Sequence, residues 1–246
     1  MTDEILRDVA HRPWPLPSGP WIMFQSWQNL LFAHWRVEVR ELRSLVPEAL
    51  ILDEFDGSAW LGLTPFLLTN LHARLLPPLP FMSEFPEMNL RTYVRVGAKP
   101  GIFFFSLDAA SRLAVAAARL TYRLPYRYAD MTVRSDGDWI HYRSRRVGRE
   151  TAEFIGRYRP IGEASQPAPG TREHFLTERY ALYTMAGDRI LRGDIHHPPW
   201  RVRRAEARIE RNTVAEAHGI RVAEQEPVLH FSARQDTLVW LPTLVR

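Results

Sequence analysis

Four polar side chains occupy every second position of one short segment: Glu87, Asn89, Arg91 and Tyr93. Alternate residues of a β-strand project from the same face, so a carboxylate, an amide, a guanidinium and a phenol would line one surface. The positions between them are mostly apolar: Met88, Leu90, Thr92 and Val94. If the polar face turns inward, this row predicts a pocket for a small molecule.

The residue types in this row, with two further downstream, suit acid–base chemistry on an oxygen-bearing ligand. A guanidinium such as Arg91 or Arg127 can hold a carboxylate or a carbonyl oxygen. Glu87 and Tyr126 are available for proton transfer if they lie beside the reacting group. We therefore predict Glu87, Tyr126 and Arg127 as catalytic residues. The predicted ligand-binding residues are Gln28, Asn89, Arg91 and Tyr93.

Glu87 and Arg91 are too far apart to pair directly within one strand, because four residues span roughly 13 Å. Each needs another partner. We expect Arg127 or Arg119 to serve Glu87, and Glu178 to serve Arg91. The alternative interpretation is a buried ion network that fixes the register of the sheet, in which loss of one partner costs about 3–5 kcal/mol.

Composition narrows the class of protein. The 246 residues carry a net charge of +4 that is spread along the chain, and only Lys99 among the 32 basic residues is a lysine. A diffuse excess of this size does not indicate nucleic-acid binding. Without cysteine, disulfides and thiolate chemistry are excluded. We find no signal peptide and no apolar run of the roughly 18 residues a membrane span needs, so we expect a cytoplasmic protein without membrane contact.

Turn signals and helix propensity predict one β-rich domain over residues 1–246. Asp136-Gly137 and Gly187-Asp188 are each typical of a hairpin. The alanine-rich segment 111–122 predicts the clearest helix, with Asp108 as its N-cap. Many short strands with few helices favour a closed barrel that encloses a cavity. The proline-rich segment 76–86 is interpreted as a lid over the barrel mouth or an oligomer contact.

The chain resembles the YqjF-like proteins, a branch of the acetoacetate decarboxylase superfamily. The matching phrases run across almost the full length: FAHWRV (32–37), ELRSLVPEALILDEFDGSAWLGLTPF (41–66), FPEMNLRTYV (85–94), GIFFFSLDA (101–109), LPYRYADM (124–131), LTERY (176–180) and IHHPPW (195–200). The resemblance implies a β-rich α+β fold, an antiparallel acetoacetate decarboxylase-like β-barrel of the double-cone type with a few peripheral helices. It also implies a central pocket and a homo-oligomer.

The same resemblance implies that the decarboxylase nucleophile has been lost. Acetoacetate decarboxylases use a lysine of lowered pKa, which forms a Schiff base and follows a proline. By spacing, that lysine falls on Tyr126, its lysine neighbour on Arg127 and the acidic residue of the family on Glu87. The substrate-binding arginine falls near Gln28. Lys99 sits in a predicted turn and is not expected to replace the reactive lysine.

Three functional hypotheses follow. The first is an enzyme that acts on a small keto or hydroxy acid, or a related carbonyl metabolite, by acid–base chemistry without a Schiff base. The second is a binding protein that uses the pocket for a small, partly apolar ligand, and the third is a structural oligomer with a vestigial cavity. We predict no cofactor and no metal site, because His196 and His197 are adjacent in a strand and point to opposite faces. His197 is expected to stack on Trp200 or to bond to the backbone.

Overall fold

The computed structural model describes residues 2–80, 82–148, 150–222 and 226–245, and Phe81 of the predicted loop lies outside them. Helices are short and few. The described α-helices are α1 (Thr2–Arg7), α2 (Val39–Arg43), α3 (Arg112–Tyr122) and α4 (Arg172–Thr177), with a 3₁₀ turn at Glu216–His218. None of the helices in these ranges has the length and apolarity needed to cross a bilayer.

Thirteen strands make up most of the described chain. Their bounds are β1 (Met23–Val37), β2 (Ile51–Leu52), β3 (Ala59–Ala73), β4 (Phe85–Val96), β5 (Lys99–Ala109), β6 (Tyr126–Asp136), β7 (Trp139–Arg146), β8 (Glu153–Ser165), β9 (Ala181–Ala186), β10 (Arg189–His196), β11 (Val202–Asn212), β12 (Val228–Val239) and β13 (Thr243–Leu244). All belong to one mostly antiparallel sheet, as the sequence predicted.

Five long strands form the centre of the molecule, in the order β12–β1–β3–β4–β5. The outer edge of β5 is divided, since residues 102–103 pair with β9 and residues 107–109 pair with β6. The outer edge of β12 is divided in the same way between β10 and β11. The central strands are therefore shared by two closed rings, one completed by β9 and β10 and the other by β6, β7, β8 and β11.

The central strand β4 is buried on both faces, because each face looks into one ring. Met88 and Leu90 pack into the main apolar core, which also receives Tyr142 from β7 and Phe154 from β8. The alternate side chains, beginning with Glu87, face the ring that β9 and β10 close. The alternation seen in the sequence thus separates an apolar interior from a polar one.

Both predicted hairpins are present. Asp136 pairs with Trp139, and Ala186 pairs with Arg189, so each hairpin has a two-residue turn. The first turn residues, Gly137 and Gly187, have φ angles of 56° and 62°, which glycine adopts without steric cost. The turn between β4 and β5 is also tighter than expected. It comprises only residues 97 and 98, and Lys99 already pairs with Val96.

The predicted helix at 111–122 is present as α3, but the predicted N-cap is wrong. Ser111 caps the helix, with its hydroxyl accepting a hydrogen bond of 3.3 Å from the Ala114 backbone N–H. Asp108 instead lies within β5 and accepts hydrogen bonds from the buried Arg146 guanidinium. β5 continues past Asp108 to Ala109, so the Asp108 side chain points into the interior of the sheet and pairs with Arg146 there. It therefore does not lie at the start of α3.

Candidate functional site

A cavity of about 220 Å³ lies within the ring that β9 and β10 close. Strands of that ring supply most of its wall, and α3 covers one side. The lining is largely apolar, with aromatic and aliphatic side chains from β1, β3 and β5. Concave, mostly apolar sites with a few polar groups are typical of small-molecule binding. The polar lining residues are Gln25, Thr64, Glu87, Asn89, Arg91, Thr121, Tyr126, Thr177, Arg179 and His197.

The polar row of β4 forms one wall of this cavity. Glu87, Asn89 and Arg91 all line it, and Thr64 of β3 stands directly opposite Asn89 in the ladder. Tyr93, the fourth member of the row, is fully buried beyond Arg91. Its hydroxyl donates a hydrogen bond of 2.7 Å to the Leu176 carbonyl, so Tyr93 supports the wall and does not line it.

Glu87 and Tyr126 are in direct contact inside the cavity. The Tyr126 hydroxyl donates to the Glu87 carboxyl group, at 3.2 Å from Oε1 and 3.1 Å from Oε2. Burial raises the pKa of Glu87 to about 8, and the hydrogen bond from Tyr126 only partly opposes this rise. Burial and the neighbouring Glu87 raise the pKa of Tyr126 well above its usual value, so the phenol remains protonated. A carboxyl group that titrates near neutrality can both accept and donate a proton.

Arg91 brings a positive charge to the opposite end of the row. Its guanidinium lies over the Phe32 ring, 5.2 Å from the centroid, and Nη2 donates to the Leu176 carbonyl at 3.3 Å. No carboxylate of the described residues lies within ion-pair distance of Arg91, and Nε has no protein hydrogen-bond partner among them. Such a guanidinium is well suited to an oxygen-bearing anion.

Three further buried polar atoms of the lining region share this property. Thr64 Oγ1, Asn89 Oδ1 and Trp200 Nε1 find no hydrogen-bond partner within the described chain. Buried polar atoms are nearly always hydrogen-bonded in folded proteins, so their clustering in one cavity indicates a polar ligand or ordered solvent. Together with Arg91 Nε they offer donors and an acceptor within a mostly apolar enclosure.

A second arginine, which the sequence reasoning missed, also reaches the cavity. Arg179 follows α4 and is neutralised by Asp53, with 2.5 Å between Nη1 and Oδ2. Its Nε also donates to the Phe175 carbonyl at 2.8 Å. The phrase LTERY, which contains Arg179, was noted only as a family match. Thr64 and Trp200 were missed as site residues for the same reason, since nothing local in the sequence marks them as inward-facing.

Of the two alternatives predicted for His197, the structure shows the bond to the backbone, whereas the ring stacks on Tyr180 and not on Trp200. The His197 ring lies 5.3 Å from the Trp200 ring, edge to face, and Nδ1 is 2.8 Å from the Pro198 carbonyl. His196 points elsewhere and bonds to Arg12 and to the Ile5 carbonyl. The two histidines therefore use different surroundings, as their adjacency in the chain requires.

Besides Tyr93, two more predicted site residues, Arg127 and Gln28, do not line the cavity. Arg127 points away from it because Tyr126, its neighbour in the strand, points in; the Arg127 guanidinium is 3.5 Å from Glu150 and is partly exposed. Gln28 donates to Thr69 Oγ1 at 3.0 Å. Met23, Gln25 and Trp27 of β1 line the cavity, so Gln28, the strand neighbour of Trp27, points to the opposite face.

The expected charged partners are also corrected. Glu87 is held by Tyr126 and not by Arg127 or Arg119, since Arg119 donates to the Tyr126 carbonyl at the protein surface. Glu178 accepts hydrogen bonds from Tyr180 and from the Trp200 backbone N–H, and does not pair with Arg91. Among the described residues, Glu87 and Arg91 therefore lack the ion pairs that a structural network would supply.

Comparison with known proteins identifies the family. Residues 24–236 match DUF2071, described as an uncharacterized conserved protein family. The chain belongs to this family. Over 225 residues the DUF2071 chain is 50% identical to the uncharacterized protein YqjF of Bacillus subtilis, covering 92% of this chain and 93% of YqjF. The predicted YqjF-like resemblance is confirmed.

Solved structures confirm the predicted fold of this DUF2071 protein. The enduracididine biosynthesis enzyme MppR, complexed with pyruvate, superposes with a TM-score of 0.64 at 11% identity, over 94% of this chain and 93% of MppR. Acetoacetate decarboxylase from Legionella pneumophila gives 0.63 at 12% identity, over 98% and 95%. At such low identity the likeness shows the acetoacetate decarboxylase-like fold alone.

Proposed function

We propose that this protein is an acid–base enzyme that acts on a small carbonyl-containing organic acid. The observation that carries the proposal is Glu87, a fully buried carboxyl group with a pKa of about 8 that faces a small-molecule cavity. A proton-transfer group works best when its pKa is close to the operating pH. An ordinary exposed glutamate, with a pKa near 4.5, would be a much weaker base.

In the proposed reaction Glu87 moves a proton at the carbon next to the substrate carbonyl. The ionised carboxylate takes the C–H proton, the electron pair moves onto the carbonyl oxygen as an enolate, and the protonated Glu87 returns a proton to carbon. Tyr126 orients the carboxyl group through its hydroxyl and keeps its own proton, because its pKa is well above the usual value. Tyr126 thus positions Glu87 and does not itself act as the base.

The order of polar groups along β4 supports this assignment. Arg91, at the inner end, is available for the substrate carboxylate, and Asn89 lies between Arg91 and Glu87 with its amide at the cavity wall. Two-residue steps along a strand are about 7 Å. A ligand held by its carboxylate at Arg91 therefore extends past Asn89 toward Glu87, and the side chains of Arg91 and Glu87 must reach toward each other to hold an acid as short as pyruvate.

Imine chemistry is not part of the proposal. The chain has one lysine, Lys99, whose Nζ lies 5.6 Å above the Trp14 ring, and Lys99 is not among the cavity-lining residues. Tyr126, on which the family resemblance places the reactive lysine of the decarboxylases, cannot form a Schiff base. MppR, which shares the fold, has been solved with pyruvate, and this supports a carbonyl acid as the ligand class.

A second candidate is a binding protein for a partly apolar organic acid. The apolar character of most of the lining favours it, since burial of apolar surface alone provides affinity. The two candidates share Arg91 as the anchor for the acid and differ only in whether Glu87 performs chemistry.

Hydrogen–deuterium exchange at carbon tests the proposal directly. In D₂O, the protein should exchange the C–H protons next to the carbonyl of 2-oxo acids such as pyruvate and 2-oxobutyrate faster than buffer, as followed by proton NMR. Glu87→Gln should lower the exchange rate by a factor of about 10² or more while leaving acid binding in place. Glu150→Gln, which changes an exposed glutamate, is the matched control.

Three results separate the alternatives. Binding without exchange, unchanged by Glu87→Gln, would establish the binding protein. Arg91→Met should weaken acid binding at least tenfold in either case. If no organic acid binds, or if Arg91→Met folds normally and binds every acid as well as the unmodified protein does, the proposed site is wrong.

A further inference from the structure

The cavity opens to solvent beside α3. Ala117 and Thr121 are exposed and line the cavity at the same time, whereas the other lining residues are buried or half-buried. We call this opening the mouth. Its helical side is made of small residues, because Ala114 and Ala118 also face the cavity. A helix that sealed the cavity would place large apolar side chains at these positions.

Large apolar side chains stand next to the mouth and face water. On α3, Leu113 and Leu120 are 62% and 84% exposed. Both lie within four residues of Ala117, on the adjoining face of the helix. The second group is in residues 73–80, between Leu71 and Met82, which both line the cavity. It comprises Leu75, 94% exposed, together with Leu76 and Leu79.

These five leucines form what we call the rim. Exposed large apolar groups concentrated around an opening mark a binding surface, whereas scattered ones need no explanation. Leu113 and Leu120 extend the apolar surface of α3 beside the mouth, and Leu75, Leu76 and Leu79 lie in the chain between the lining residues Leu71 and Met82. The occupant of the rim should accordingly be apolar and connected to whatever fills the cavity.

We propose that the ligand is an amphiphilic acid, whose polar head lies at Asn89 and Arg91 and whose hydrocarbon chain leaves through the mouth and covers the rim. The inference rests on the proposed function for the position of the head. It adds that the rest of the ligand is apolar and long enough to leave the cavity. The cavity volume suits the head and a few methylene groups, and the alanine face of α3 leaves a passage for the rest.

A chain-length series tests this inference. Straight-chain 2-oxo acids of 4 to 14 carbons are titrated calorimetrically against the full-length protein, below their micelle concentrations. Each methylene that leaves water should improve the dissociation constant about three- to fourfold. The improvement should continue beyond the length that the cavity can hold, as long as the chain covers the rim.

Rim variants separate the head from the tail. Leu113→Ser combined with Leu120→Ser should leave the affinity for the shortest acids unchanged and flatten the dependence for the longer ones. Ile51→Ser, which removes an exposed apolar side chain from β2, is the matched control and should preserve the full dependence. Both variants change only exposed positions, so folding should be retained.

The outcomes distinguish this inference from the proposed function. If short acids bind through Arg91 but affinity is flat with length in the unmodified protein, the tail inference is overturned and the proposed function stands. If no acid of any length binds, the proposed function falls first. If the double serine variant instead lowers the molar mass measured by light scattering, the rim is a contact between copies of the chain, which also overturns the inference.

Discussion

Two buried carboxyl groups on adjacent strands, Asp108 and Glu87, differ in the partners that the fold gives them. Asp108 on β5 faces the ring that β6, β7, β8 and β11 close, and its carboxylate is 3.0 Å from Arg146 Nε, with both side chains 1% exposed. Glu87 on β4 faces the other ring, and its only side-chain hydrogen-bond partner in the described chain is the Tyr126 hydroxyl. The ring that holds Asp108 neutralises the charge that it buries, whereas in the ring that holds Glu87 no cation of the described residues is in contact with the carboxyl group.

The contrast is weaker for the other polar atoms of the two regions. Arg146 also donates to Ser106 at 2.9 Å, but Arg146 Nη1 and Ser144 Oγ have no hydrogen-bond partner among the described residues. Around Glu87, Thr64, Asn89, Arg91 and Trp200 each keep an unpartnered buried atom within the described chain, and these residues line a cavity. Polar groups that are paired serve stability, and polar groups left unpaired in a cavity are free to serve a ligand.

The largest expected effect on stability comes from removal of the Arg146–Asp108 ion pair. Arg146→Met should lower the free energy of unfolding by about 3–5 kcal/mol, because it leaves Asp108 buried without a counter-charge. Urea denaturation at pH 7 measures the loss. The destabilisation should be smaller at pH 4, where Asp108 can take up a proton and lose its charge. An effect below about 1 kcal/mol at both pH values would show that the ion pair is not structural.

Substitution of Glu87 should have the opposite effect and raise the free energy of unfolding. The unfolded chain ionises Glu87 near pH 4.5, but the folded protein does so near 8. Between these values the folded state holds a proton that the unfolded state has lost, so stability from protonated Glu87 is present below pH 4.5 and is lost as pH rises to 8. Glu87→Gln should therefore be increasingly more stable than the unmodified protein across this window, by up to about 1.4 kcal/mol per pH unit.

Stability curves of both proteins at several pH values between 4.5 and 8 provide the measurement. Glu150→Gln is again the control, since its side chain is exposed and its substitution should leave the slope unchanged. Parallel curves for Glu87→Gln and the unmodified protein would mean that Glu87 titrates normally.

A smaller effect is expected from Tyr126→Phe, which tests whether Tyr126 sets the pKa of Glu87. Its hydrogen bond lowers the pKa of Glu87, so Tyr126→Phe should move the carboxyl pKa further upward, above 8. The loss of one hydrogen bond should cost about 1 kcal/mol. Exchange activity should rise with pH through the Glu87 pKa, because the ionised form is the base, and the midpoint in Tyr126→Phe should lie at higher pH. An unshifted midpoint would remove Tyr126 from the site.

The smallest effect concerns Lys99. Its amine packs over Trp14 and not in the cavity, so borohydride reduction in the presence of pyruvate should leave the protein mass unchanged. Lys99→Arg should alter stability by less than about 0.5 kcal/mol and leave exchange activity intact. A reduced adduct on Lys99 would restore imine chemistry and overturn the acid–base assignment.

Much of the architecture could be read from the chain. Alternation over Glu87–Val94 predicted which side chains share a face, and Asp136-Gly137 predicted a hairpin, because both signals depend only on local backbone geometry. The site was harder to predict. Arg127 was expected to face the pocket although its neighbour Tyr126 was as well, and two adjacent strand residues cannot both do so. Gln28 faces away from the lining because its neighbour Trp27 faces it, and which face of β1 looks into the cavity is decided by strands that pair with β1 from distant parts of the chain.

The sequence by itself determined the strand periodicity and the family, since residue identity and spacing are enough for these. Only the tertiary structure decided that Glu87 faces a cavity and is held by Tyr126 while Asp108 meets Arg146. Both carboxyl groups are equally ordinary in the sequence. Their pKa values and partners depend on burial and on strands that come together from distant parts of the chain, and these are properties of the folded protein alone.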